Sequence, residues 1–210
     1  MRKLTTLFHI LIVSTILSSN STASDLTLSA QANVIFIEAD GTDEEVLTPQ
    51  IQIEWKPSSI PYHSFGFSHA KYSWNSSSFW SDPTPGWNGV TGSSTKYESN
   101  ITQIDVFYKY TLESSNSRQL FYFKPSIGVA GISKTIGTTT QGGYFDGATL
   151  TSSYEKRIPL LTAVIGFERK LTKKSSINLE AGYTNFDIDD DRIFTKLNGL
   201  HIGIGINLKI

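Results

Sequence analysis

Three features of the sequence predict an all-β chain folded as an eight-stranded antiparallel up-and-down transmembrane β-barrel. First, the final eleven residues alternate without a break. Every even position from 200 to 210 is Leu or Ile, and the odd positions are His201, Gly203, Gly205, Asn207 and Lys209. Successive side chains of a strand point to opposite faces, so this segment has one aliphatic face and one small or polar face. Second, seven earlier segments alternate in a similar way, and the connections between strands are in turn long and polar, then short. Third, nothing after residue 17 approaches the run of roughly 20 apolar residues that a spanning helix needs.

The chain begins with a secretory signal pattern. Arg2 and Lys3 form the charged start, residues 4–17 the apolar stretch, and Ser21-Thr22-Ala23 the small residues of a cleavage site. This divides the chain into a signal peptide over 1–23 and a barrel domain over 24–210. Without Arg2 and Lys3 the 18 basic residues become 16 against 19 acidic ones, so the mature chain carries about three negative charges. No basic stripe exists, which argues against nucleic acid as a partner. Cysteine is absent, so there is neither a disulfide framework nor a thiolate metal site. No cofactor is expected.

The first strand is expected over 26–37, with Leu26, Leu28, Ala30, Ala32, Val34 and Phe36 on one face and Thr27, Ser29, Gln31 and Asn33 on the other. An acidic loop over 38–47 leads to a second strand over 48–56, in which Ile51, Ile53 and Trp55 oppose Gln52, Glu54 and Lys56. Pro57 and Pro61 bracket a short turn. The third strand, 62–74, sets His63, Phe65, Phe67, His69 and Lys71 against Ser64, Gly66, Ser68, Ala70, Tyr72 and Trp74. A long loop over 75–95 carries Phe79, Trp80 and Trp87. The fourth strand (96–112) opposes Ile104, Val106, Tyr108 and Tyr110 to Gln103, Asp105, Phe107 and Lys109. The fifth (119–132) opposes Phe121, Phe123, Ile127 and Val129 to Tyr122, Lys124, Gly128 and Ala130. A loop over 133–154 precedes the sixth (155–171), where Leu161, Ala163, Ile165 and Phe167 oppose Thr162, Val164, Gly166 and Glu168. The seventh (176–187) opposes Ile177, Leu179, Ala181 and Tyr183 to Asn178, Glu180, Gly182 and Thr184. A loop over 188–195 then leads to the closing strand.

A soluble barrel of the lipocalin kind would turn its aliphatic faces inward around a hydrophobic ligand. The residues opposite those faces argue for the reverse. Gly128, Gly166, Gly182, Gly203 and Gly205 would weaken a solvated sheet face, whereas the crowded interior of a narrow barrel needs small residues between large ones. Aromatics gather near strand ends, at Trp55, Tyr62, Tyr72, Trp74, Tyr108, Tyr110 and Phe121, as expected of interfacial girdles.

Signal peptide, eight amphipathic strands and alternating short and long connections make the mature chain resemble the small outer-membrane barrels of the OmpA-like, OmpX-like and opacity type in the porin family. The resemblance is one of pattern, with no diagnostic short motif. It implies a bacterial outer-membrane protein with short turns and both termini in the periplasm and long loops outside. It further implies lipid and lipopolysaccharide as neighbours, an extracellular partner for the loops, and a closing strand read by the barrel-assembly machinery. Such strands usually end in an aromatic residue, and Ile210 departs from that habit.

Eight strands enclose a lumen just wide enough for side chains, which argues against a wide pore. Glu54, Asp105, Lys109, Lys124, Glu168, Glu180 and His201 fall on the inward face and are expected to form a polar network, because lone buried charges are costly. Neighbouring pairs expected there are Glu180 with His201, Asp105 or Lys109 with Lys124, and Glu168 with Glu180. Such a network reads as a stabilising plug, or alternatively as a gated polar path. Phe79, Trp80 and Trp87 are loop contact candidates. Asp187, Asp189, Asp190 and Asp191 offer carboxylate oxygens to a hard cation, though a solvated acidic turn is the simpler reading, and no metal site is assigned. The expected role is structural display and surface interaction without catalysis. The alternative is a lipid A-modifying hydrolase or acyltransferase using His63 or His69. Against it, Ser64 and Ser68 fall on the opposite face by parity, out of reach of a base on the other side.

Overall fold

A computed structural model describes residues 25–39, 42–81, 92–113, 118–142, 146–186 and 197–210. The expected signal peptide, Trp87 and the four aspartates at 187, 189, 190 and 191 lie outside the described residues.

Eight strands run in order: β1 (Asp25–Ala39), β2 (Thr42–Lys56), β3 (His63–Ser81), β4 (Gly92–Glu113), β5 (Gln119–Gln141), β6 (Thr149–Lys170), β7 (Ser175–Phe186) and β8 (Leu197–Lys209). Each pairs antiparallel with its sequence neighbours, and β8 pairs with β1, closing an up-and-down barrel. Closure removes the free edges that a sheet of this size would otherwise expose. The seam is continuous, from Thr27 opposite Lys209 to Ala39 opposite Leu197.

The faces divide inside out. Ile51, Ile53, Ile104, Val106, Ile127, Leu161, Ile165, Leu179, Ile202, Ile204 and Ile206 are all exposed on the outer wall. Gln31, Asn33, Gln52, Asp105, Lys109, Lys124, Glu180 and His201 are buried. A protein stable in water does the opposite; a barrel immersed in lipid needs this arrangement. Trp55, Tyr62, Phe65, Tyr110 and Phe121 are exposed at the end of the barrel that carries the short turns, with Trp55 against Phe65 and Phe121 against Phe167. The inward glycines make room for rings that lie across the lumen. A Cβ on Gly166 would overlap the Tyr122 ring, and one on Gly66 would overlap Phe107.

Three expectations are corrected. The connection expected over 38–47 is mostly strand, because β1 reaches Ala39 and β2 begins at Thr42. Likewise β3 continues to Ser81, β4 starts at Gly92, β5 continues to Gln141 and β6 starts at Thr149. These extensions are rich in Ser and Thr on both faces, so they lack the apolar alternation that reveals a strand. Cross-strand hydroxyl contacts support them instead, Thr95 to Thr138 at 3.2 Å and Thr139 to Thr149 at 3.0 Å. In the described part of the β5–β6 connection, Gly142 and Gly147 have positive φ, and the Gly142 amide donates to the Asp146 carboxylate at 2.8 Å.

The second correction concerns the girdle. Tyr72 and Trp74 point inward and are buried. They join Ile35, Ile101, Ile132, Ile158, Leu160 and Phe186 in an apolar cluster inside the barrel, toward its long-hairpin end. The lumen is therefore polar over part of its length and apolar over the rest. The charge pairings in the lumen also differ from those expected.

Candidate functional site: the lumen and the hairpin end

The lumen charges are arranged in levels. Nearest the short turns, Lys109 on β4 reaches Glu54 on β2 at 3.1 Å and Glu168 on β6 at 3.2 Å. Each carboxylate keeps a second partner, as Ser64 donates to Glu54 at 2.7 Å and Ser176 to Glu168 at 2.6 Å. The Lys109 ammonium also lies 4.4 Å from the centre of the Tyr122 ring, a cation–π contact in a desolvated site. Deeper, Lys124 on β5 pairs with Glu180 on β7 at 2.5 Å. The Tyr122 hydroxyl donates to the same carboxylate at 2.6 Å and the Gln31 amide at 3.0 Å. Gln52 links the two sides, donating to Gln31 at 3.1 Å and accepting from Lys124 at 3.2 Å. Deeper still, Asp105 accepts from Ser68 at 2.7 Å and from the Gln103 amide at 2.6 Å, and Tyr72 donates to Gln103.

All seven residues of the expected network point inward, and Glu180 with His201 and Asp105 with Lys124 line one small cavity, but the ion pairs are Lys109 with Glu54 and Glu168 and Lys124 with Glu180. Glu180 lies opposite Gly203 in the ladder, while His201 lies opposite Gly182. Lys109 and Lys124 hold different carboxylates, and Glu168 and Glu180 each meet a lysine and not one another. Parity tells which face a residue occupies, not its height or its reach across the lumen. Lys109 bridges to strands two places away on either side. Tyr122, with no assigned role in the sequence reading, is the hub of the Glu180 level; its inward parity was the available signal.

Among the described residues, the side chains at the Lys124–Glu180 level leave little free space in the lumen. A cavity of about 20 Å³ lies among Asp105, Lys124, Glu180 and His201, space for about one water molecule. Beyond it stands the apolar cluster around Tyr72, Trp74 and Ile101.

His63 and His69 lie on the outward side of β3. The His63 Nδ1 is 2.5 Å from the Tyr108 hydroxyl, and its ring packs between Tyr108 and Tyr110, with centroids 5.7 and 5.2 Å away. His69 is within hydrogen-bond distance, 3.1 Å, of the Gln103 carbonyl. Ser64 and Ser68 are buried on the lumen side, committed to Glu54 and Asp105. Phe79 and Trp80 belong to β3 itself, opposite Ser94 and Ser93 of β4, which corrects their expected place in a loop. They are 63% and 53% exposed.

No family model matches the sequence, and no curated protein matches it either. Solved structures do match. A major outer membrane protein from Thermus thermophilus aligns at 13% identity over 90% of this chain and all of its own, with a TM-score of 0.54. Neisserial surface protein A aligns at 12% identity, again over 90% of this chain and all of its own, at 0.51. Ail, the attachment invasion locus protein of Yersinia pestis, gives 8% identity, the same coverage and 0.51. The chain has the fold of the small eight-stranded outer-membrane barrels, and the expected resemblance to them holds at the level of fold.

Proposed function

We propose that the protein is a bacterial outer-membrane barrel that acts by display. A sealed, ion-paired barrel anchors long hairpins outside the membrane for surface interaction, without conducting solutes and without catalysis. The observation that carries this reading is the inverted partition of side chains. Aliphatic residues are exposed around the whole wall, while two lysines and their carboxylates are enclosed. In this reading a signal peptide over 1–23 exports the chain, and lipid and lipopolysaccharide surround it. The β8 strand carries the assembly signal, with Ile210 at its end. The partner meets the hairpin end, where Phe79 and Trp80 are exposed.

Cell fractionation tests the reading. The mature chain is expected in the outer-membrane fraction, released only by detergent, and its unheated form is expected to migrate differently from its boiled form on a denaturing gel. Recovery from the soluble periplasm without detergent contradicts the proposal. The absence of catalysis has its own check. A deletion strain and strains carrying His63→Ala or His69→Ala are expected to give lipid A of unchanged mass. A lost or gained acyl group in any of them would make the barrel an enzyme.

A further inference from the structure

The short-turn end of the barrel opens into a basin of about 630 Å³, and among the described residues its lining carries seven cationic side chains and three carboxylates. All three carboxylates are already engaged. Glu54 and Glu168 hold Lys109 at the basin floor, and Asp25 holds Lys209 at 2.6 Å. Lys56, Lys170, Lys173 and Lys174 also line the basin, with no carboxylate partner among the described residues. They come from different parts of the ring: the end of β2, the end of β6 and the β6–β7 turn. That turn is itself ordered. The Lys174 amide donates to the Thr172 hydroxyl at 3.1 Å, and the Lys174 carbonyl accepts from the Lys209 amide at 2.8 Å. The chain as a whole is slightly acidic, so this concentration of positive charge is local.

We infer that this basin is a binding site for a soluble oligophosphate. Clefts lined by charge of one sign, with low-dielectric walls, focus their field on the opening and concentrate counter-ions there. Its volume lies within the range of small-molecule sites. Lys56, Lys170, Lys173 and Lys174 surround one opening, and lysine ammonium groups bind phosphoryl oxygens as point charges, so the four together suit an anion carrying several charges. The basin is walled by strand ends and turns and is floored by the Lys109 level, so it opens along the barrel axis and not sideways to the lipid wall.

Calorimetric titration of the folded protein with sodium tripolyphosphate, in zwitterionic detergent at low salt, tests this. One tripolyphosphate is expected per barrel. Binding is expected to weaken about tenfold or more in Lys173→Ala/Lys174→Ala and to survive in Lys173→Arg/Lys174→Arg. It should also survive in Lys96→Ala/Arg157→Ala, which removes cations toward the other end. Heat-dependent gel migration verifies that each variant is folded. No binding overturns the inference, as does equal weakening in the Lys96/Arg157 variant or none in the alanine pair. Equal binding of citrate would deny the phosphoryl preference. Loss of binding in bilayers containing phosphatidylglycerol, but not in pure phosphatidylcholine, would reassign the site to lipid headgroups. Each readout is independent of where the protein resides in the cell, so this inference and the display reading fail separately.

Discussion

Replacing Glu180 by alanine is expected to cost the barrel about 3–5 kcal/mol of unfolding free energy, because a buried ion pair broken on one side leaves an uncompensated charge. The side chain accepts from Lys124, Tyr122 and Gln31 together, so its removal strands one ammonium, one hydroxyl and one amide inside the lumen. Denaturant titration of the folded protein in detergent or lipid, followed by tryptophan fluorescence, measures the loss. The informative comparison is the double replacement Lys124→Met/Glu180→Gln. It removes both charges while keeping an acceptor for Tyr122 and Gln31. Exchanging a whole buried pair for neutral side chains of similar volume is often close to neutral, so the double variant is expected to be more stable than Glu180→Ala. If Glu180→Ala unfolds like the wild type, the pair is solvated and the lumen is open to water.

The second large effect is expected on the opposite face. Ile204 is 57% exposed at the centre of the even-numbered row on β8. Ile204→Lys is expected to cost about 2–4 kcal/mol in a bilayer, as a charge at the midplane does, and the same change at Leu200 or Leu208, nearer the rims, about 0–1 kcal/mol. A soluble barrel predicts neither the magnitude nor the dependence on height, since an exposed aliphatic residue replaced by lysine costs little in water. Unfolding titrations of the three variants in vesicles measure the profile, and a flat one would count against a lipid-facing wall.

These two predictions rest on different degrees of legibility in the sequence. The outer wall could be read directly, because β8, β7 and the lower half of β2 alternate between aliphatic and small or polar residues with little ambiguity. The inward direction of Lys109, Lys124 and Glu180 followed from the same parity. Their pairing did not. It depends on strand stagger and on side chains long enough to span two strands across a narrow lumen. Tyr72 and Trp74 lie inside the barrel and not in the girdle, which the sequence hides for a related reason. An aromatic residue near a strand end suits an interfacial belt and a tapered core equally well, and only burial separates them. The strand extensions above the wall were hidden by composition. From Ser73 to Ser78, and from Thr135 to Thr140, serine and threonine recur on both faces, so the pattern carries no contrast even where the ladder is regular.

The inverted wall is the central claim, and the cysteine-free chain makes it directly measurable. Single cysteines placed in turn at positions 200 to 208, each carrying a nitroxide, would report collisions with oxygen, which concentrates in lipid, and with a water-soluble nickel complex. In bilayers, the labels at 200, 202, 204, 206 and 208 are predicted to be rich in oxygen collisions and poor in nickel collisions, peaking at 204, with those at 201, 203, 205 and 207 shielded from both. Even-numbered labels that collide freely with the nickel complex, or that are shielded from both reagents, would contradict it.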